Sequence, residues 1–308
     1  DHHPHDHFLD SCVMPELPEV ETVRQGLEEA LLGLKIRNAE KRRRDLRFPI
    51  PENLNEQIQG RTISSLRRRA KYLLIDLDNG LTVLSHLGMS GRWTILRDDV
   101  ITRPGRFAHG GEIGSGEGPH DWIIIYFENG YTTVYSDPRR FGFVDIVPLK
   151  NLAEYPSLAA LGPEPLSNAF NASALRQKIN KKQSPIKSVL LDQTIIAGLG
   201  NIYVCEALHR SGISPRRKAK NISESKTDSL VIAIRVVLQD AINAGGSTLK
   251  DHLQTSGEMG YFQHQFRVYS REGKECMKKS CSGTIKRIIQ SGRSTFCLLY
   301  TSPSPRDS

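Results

Sequence analysis

The chain has 308 residues, 38% hydrophobic and 25% charged, a composition that excludes a disordered chain and exceeds what one compact core usually holds. Lysine and arginine total 42 against 34 acidic residues, giving a net charge of +8 and pointing to a polyanionic partner, nucleic acid first. No apolar run approaches the roughly 20 residues of a bilayer span, so neither a membrane segment nor a signal peptide is expected.

In chain order, residues 1–13 read DHHPHDHFLDSCV, with four histidines, and are expected to be an extraneous extension outside the fold. Met14-Pro15-Glu16-Leu17-Pro18-Glu19 follows. If the polypeptide begins at Met14 and loses it, Pro15 becomes a free secondary amine. An α-amine has a pKa of about 7.7–8, against about 10.4 for lysine, so more of it is neutral at physiological pH. Such an amine can attack a sugar C1′ and form an iminium, and Glu16 beside it can move protons. The same stretch reads as a helix start, with Pro18 at the first position and acidic residues in the first turn. Val20, Val23, Leu27, Ala30, Leu31 and Leu34 keep helical spacing, which predicts a helix to about Leu32 with Gly33 as its cap.

Strands are expected at 70–77 and 81–85 across Asn79-Gly80, and at 122–128 and 131–136 across Asn129-Gly130. Asn-Gly between apolar runs is a strong hairpin signal, and two such hairpins indicate an antiparallel sandwich or barrel. Residues 98–120 carry six glycines and read as a flexible surface loop. Prolines at 148, 156, 163 and 165 mark a hinge. Beyond it, 171–212 and 223–244 read as helices, the latter with Leu230, Ile234, Val237, Leu238 and Ala241 on one face.

Several short patterns carry chemistry. Lys71 in Arg67-Arg68-Arg69-Ala70-Lys71 opens a predicted strand, where charge alone suggests a solvated basic edge. Met89 in HLGMSG, and Arg139 with Phe141 in SDPRRFG, sit in glycine-containing turns rather than core positions. A thioether or aromatic ring can fill the gap left by an everted base, and an arginine can bond to the partner base left behind. Gly198-Leu199-Gly200 before Asn201 can turn backbone N–H groups toward a phosphate, with Lys181, Lys182 and Lys187 neutralising backbone charge. Residues 255–262, TSGEMGYF, read as a mobile loop. The five cysteines are Cys12, Cys205, Cys276, Cys281 and Cys297; three near the C-terminus suggest a metal in a reducing compartment rather than disulfides.

Taken together, MPELPEVETVRQGL, RRAKYLL, HLGMSG, SDPRRFG, LGPEPL, LLDQTIIAGLGNIY, GGSTLKD, GYF and GRSTF, in this order over residues 14–296, resemble formamidopyrimidine-DNA glycosylase, the bacterial family that removes oxidised purines. The resemblance implies an α+β chain of two domains. These are an N-terminal β-sandwich with a flanking helix and a C-terminal helical domain with a helix–two-turns–helix motif and a zinc-finger hairpin. The expected divisions are an extension at 1–13, a catalytic domain at 14–147, a hinge at 148–165, a DNA-binding domain at 166–270, a hairpin at 271–297 and an unrelated tail at 298–308. The implied activity is that of a bifunctional glycosylase and lyase acting on formamidopyrimidine and 8-oxoguanine in double-stranded DNA.

By the same resemblance Pro15 is the nucleophile, Glu16 the general acid, and Glu19 orients the ribose. Lys71 and Arg293 serve the elimination steps. Met89, Arg139 and Phe141 insert into the duplex, while His120, Lys182 and Asn201 contact DNA. One structural zinc ion and no organic cofactor are implied. Cys276 and Cys281 fit its first ligand pair with a wide spacing, and Cys297 falls one place early, so an incomplete zinc site is expected. A monomer in the bacterial cytoplasm, associated with the nucleoid, completes the expectation. Two alternatives stand beside it: an endonuclease VIII-type enzyme acting on oxidised pyrimidines, and a catalytically dead DNA-binding protein if Pro15 is not the free N-terminus.

Overall fold

The computed structural model describes residues 14–97, 114–247 and 260–299. They fall into two compact units. One takes in residues up to Ala159 together with 244–247 and 260–261; the other runs from Ala160 to Asn243 and resumes at Phe262.

The first unit opens with helix α1, Leu17–Leu31. Pro18 stands in its first turn, and Glu16 and Glu19 form a reciprocal capping box that satisfies N–H groups the helix cannot. The helix stops one residue earlier than the spacing predicts, and Gly33 follows in the left-handed region. Val20, Val23, Leu27 and Leu31 are buried against the sandwich core.

Eight antiparallel strands make two four-stranded sheets. One has the order β1 (Ile36–Lys41), β6 (Asp121–Phe127), β7 (Thr132–Ser136) and β5 (Arg92–Leu96). The other has β2 (Ile63–Arg69), β3 (Tyr72–Leu77), β4 (Leu81–His86) and β8 (Phe143–Pro148). A short helix α2, Leu54–Ile58, packs on β1. Both Asn-Gly turns form where expected, with Gly80 and Gly130 at positive φ. The core joins Ile36, Trp93, Ile125 and Tyr135 of one sheet to Leu66, Leu73, Ile75 and Val144 of the other. Full burial contributes about 1.5–3 kcal/mol for each large apolar side chain. The reverse face of the second sheet is covered as well, Leu74, Leu84, Phe143 and Val147 packing on Leu152 and Leu158. Helix α3, Pro156–Ala159, ends the unit's first stretch of chain.

The second unit is helical, with α4 (Ala172–Ile179), α5 (Ile186–Leu191), α6 (Asn201–Ser211) and α7 (Glu224–Asn243). The stretch 171–212, predicted as helical, is thus three helices, broken where Pro185 and the 192–200 loop cannot continue one. Gly212 caps α6 in the left-handed conformation. The hairpin β9 (Ile285–Gln290) and β10 (Arg293–Leu298) turns at Ser291-Gly292, both at positive φ. Tyr203, Phe262, Phe266, Tyr269 and Phe296 form a continuous aromatic ladder, with ring centroids 4.9–5.7 Å apart. It ties the hairpin to α6. Among the described residues, no helix is long and apolar enough to cross a membrane.

Candidate active site

Pro15 and Glu16 are buried in front of α1, Glu16 in extended backbone conformation at the helix N-cap. The Glu16 N–H donates to Glu19 Oε2 at 3.1 Å, and the Ser247 N–H donates to Glu19 Oε1 at 3.0 Å. Glu19 therefore fixes the start of the helix and moors it to the segment at Gly246-Ser247. Gly246 is left-handed, a backbone conformation that favours glycine, and packs against Glu19, where a Cβ would make ordinary contact at 3.4 Å.

Lys71 occupies a two-residue turn between β2 and β3 rather than the strand itself, which starts at Tyr72. Ala70 before it has φ of 52°, and Lys71 is only 8% exposed, so the solvated-edge reading does not hold. His86 feels the Lys71 charge. Burial, aided by Lys71 and Arg47, lowers its pKa to about 4. The neutral ring accepts the Gly88 N–H at Nδ1 (3.0 Å) and stacks on Phe143.

Met89, Arg139 and Phe141 come together. Phe141 is 47% exposed and the Arg139 guanidinium lies over its ring at 5.3 Å. The turn of Met89 lies directly against the turn of Phe141: a Cβ on Gly88 would meet Gly142 N and Phe141 C at 2.4 Å. His120 is half-buried with its ring edge toward Trp122. Beside it Asp121 is fully engaged, accepting the N–H groups of Gly114, Gly116 and Gly118 and the Ser136 hydroxyl. The described end of the glycine-rich loop is therefore wrapped on a carboxyl group, not free.

In the second unit Lys182 is exposed and its charge helps hold the Asp192 carboxyl below its usual value, behind the larger effect of hydrogen bonds from Thr194. Lys187 departs from expectation. It is 1% exposed and its ammonium donates to Ser294 O at 3.2 Å and Thr295 Oγ1 at 2.5 Å. Asn201, first residue of α6, donates through Nδ2 to the same Ser294 carbonyl at 2.9 Å. Both anchors lie beside exposed Arg293. The Gly198 N–H is taken by Gln193 Oε1, so this part of the glycine turn faces inward. Glu206, buried on α6, gathers the consecutive N–H groups of Arg267, Val268 and Tyr269. Asp137 and His86 lie inside SDPRRFG and HLGMSG, where the sequence singled out only their neighbours, and Asp121 and Glu206 were not singled out at all. Residues 1–13, the loop at 98–113, most of 255–262 and the tail from 300 lie outside the described residues.

Residues 14–144 match the formamidopyrimidine-DNA glycosylase N-terminal domain, and residues 161–252 match the formamidopyrimidine-DNA glycosylase H2TH domain. The chain belongs to the formamidopyrimidine-DNA glycosylase family. A formamidopyrimidine-DNA glycosylase of Ruegeria sp. strain TM1040 is 52% identical over 283 residues, covering 92% of this chain and 98% of the relative. A mutant Lactococcus lactis enzyme in complex with Fapy-dG-containing DNA superposes with a TM-score of 0.79 at 32% identity, covering 92% and 98% of the two chains. The wild-type Lactococcus lactis enzyme with oxidised-pyrimidine DNA gives 0.78 at 32%, with the same coverage.

The two-domain α+β fold expected of a formamidopyrimidine-DNA glycosylase is present, with its sandwich, flanking helix and helical second unit. The zinc that membership implies does not fit the described residues. Cys276, Cys281 and Cys297 are free, and no three His, Cys, Asp or Glu side chains converge as a metal would need. Cys281 Sγ instead accepts the Gly283 N–H at 3.4 Å. Burial pushes the Cys297 thiol up, and Arg216 and Lys187 partly oppose this.

Proposed function

We propose that this chain is a base-excision-repair glycosylase and lyase that removes formamidopyrimidine and 8-oxoguanine from double-stranded DNA through the amine of Pro15. What supports the reading most directly is the placement of Pro15 and Glu16 at the moored N-terminus of α1, inside a fold whose relatives were captured on damaged DNA. A fixed nucleophile and acid, side by side, turn the attack into an effectively intramolecular event.

The Pro15 nitrogen, freed of Met14, forms a bond to C1′ as the C–N bond to the damaged base breaks. Glu16 gives the departing base its proton, and Glu19 orients the ribose. The C1′–O4′ bond then breaks, the proton of the Pro15 nitrogen passing to O4′, so that the sugar ring opens and an iminium joins protein and DNA. Loss of a C2′ proton then expels the 3′ phosphate, and a second elimination expels the 5′ phosphate. Lys71 and Arg293 serve these proton and phosphate transfers. Met89, Arg139 and Phe141 occupy the space of the everted nucleotide, and His120, Lys182 and Asn201 hold the backbone.

In this reading 14–147 is the catalytic domain, 148–165 the hinge, 166–270 the DNA-binding domain and 271–297 the hairpin. The protein acts as a cytoplasmic, nucleoid-associated monomer.

The test compares protein starting at Pro15, its mass verified intact, with protein retaining residues 1–14. Each is incubated with duplexes carrying 8-oxoguanine or thymine glycol and treated with borohydride. Covalent trapping is expected for the first protein only, strongest on 8-oxoguanine, and Glu16→Gln should slow base release about 10²–10⁴-fold. Absence of any adduct from the Pro15 protein sinks the proposal and leaves a DNA-binding protein. Preference for thymine glycol moves the chain to the pyrimidine reading, which the oxidised-pyrimidine complex of the relative keeps open.

A further inference from the structure

Three segments assigned above to DNA meet on one residue that has no assigned role. Asp137 is 0% exposed. Its Oδ1 accepts the Ser90 hydroxyl at 2.7 Å and the Arg140 N–H at 3.0 Å; its Oδ2 accepts the Gly142 N–H at 2.9 Å and the Tyr135 hydroxyl at 3.2 Å. Ser90 follows Met89, and Arg140 and Gly142 flank Phe141. The Ser90 oxygen in turn accepts the Arg139 N–H at 2.9 Å, closing a ring of bonds between the two turns. The main chain of Asp137 binds the third segment: its N–H donates to His120 O at 3.1 Å, and its carbonyl accepts Trp122 Nε1 at 2.8 Å.

Packing says the same independently. A Cβ on Gly142 would sit 2.1 Å from the Tyr135 hydroxyl and 2.5 Å from His86 O, and one on Gly91 would sit 2.6 Å from that hydroxyl. The turns touch main chain to main chain, with Met89 half-buried and Arg139, Arg140 and Phe141 exposed. Burial, reinforced by Asp137, holds the Tyr135 hydroxyl well above its ordinary pKa, so it stays a donor.

We propose that Asp137 is a positioning residue that locks Met89, Arg139 and Phe141 into one rigid wedge and couples that wedge to the His120 segment. The proposal rests on the wedge reading of those three residues. A wedge helps only when a base must be pulled from a stack and its place filled, because that eversion has a cost the insertion offsets. A wedge whose parts moved independently would lose the benefit on paired DNA and little on DNA already unpaired.

Asp137→Asn keeps the shape but breaks the hub. Each carboxyl oxygen serves two donors, so an amide nitrogen in either place faces two groups it cannot accept from. Ser90→Ala removes the link between the turns alone. The measurement is the single-turnover excision rate of 8-oxoguanine in a fully paired duplex divided by the rate for the same lesion in a mismatched bubble. Asp137→Asn and Ser90→Ala should lower this ratio about tenfold, as Phe141→Ala should for the wedge itself. A general loss of structure would depress both rates and leave the ratio in place. If Phe141→Ala lowers the ratio while Asp137→Asn and Ser90→Ala do not, the hub has no positioning role. If Phe141→Ala leaves it unchanged, the wedge reading falls and takes this one with it. Should Asp137→Asn fail to fold, Ser90→Ala and Tyr135→Phe, each lacking one hydroxyl group, decide the question by the same ratio.

Discussion

Arg139 and Arg293 are both exposed on tight turns with a left-handed neighbour, yet the two turns are anchored by groups of opposite character. Beneath Arg139 lies the Asp137 carboxyl, which collects hydroxyl and N–H donors. Beneath Arg293 lie the Lys187 ammonium and the Asn201 amide, which donate to the Ser294 carbonyl and the Thr295 hydroxyl. Each device pins the main chain where the exposed arginine leaves it, and neither calls for a metal. A buried ionisable group at such a place is costly unless its hydrogen bonds are filled, so filling them ties side chain and turn together.

That contrast can be broken most forcefully at Lys187. Lys187→Met leaves the Thr295 hydroxyl without its donor and weakens the Ser294 anchor, which should lower stability by about 2–3 kcal/mol in denaturant unfolding. If stability is unchanged, the ammonium is not the anchor described. A smaller effect is expected from His86, which supports the Met89 turn through Gly88. Its folded pKa of about 4 lies below the ordinary 6.5, so as pH falls the unfolded chain takes up the proton first. The stabilisation is complete above about pH 6.5 and is lost on the way down to about pH 4. Stability should fall by on the order of 1 kcal/mol between pH 7 and 5, and His86→Gln should flatten that slope. The smallest effect concerns metal. Exhaustive chelation should leave the unfolding midpoint within about 1 °C, because among the described residues no three ligands converge to link metal binding to folding. A large drop on chelation would reverse this reading of the hairpin.

Much of the fold could be read from the residues because it rests on local, periodic signals. The spacing from Val20 to Leu31 gave α1 to within a residue, and the Asn-Gly pairs placed two hairpins correctly. The long helical stretch after residue 171 was less legible, since apolar content runs across its loops and only Pro185 and the glycines mark the breaks. The motif residues were visible, whereas their supports were not. Asp137, Asp121 and Glu206 work by accepting N–H groups from neighbouring or distant main chain, and main-chain donors leave no trace in residue type. Lys187 was misread for a related reason. In a run of basic residues nothing marks which one turns inward, and its partners lie more than a hundred positions later.

The contact between Gly88 and Gly142 also limits how these turns can change over generations. A methyl group on Gly88 would force the Phe141 turn to retreat, and one on Gly142 would collide with the Tyr135 hydroxyl and the His86 carbonyl, so a codon library spanning one loop alone would return glycine at that place. Variety at this spot must arrive as a matched pair of replacements, and anyone redesigning lesion preference here has to rebuild both loops at once.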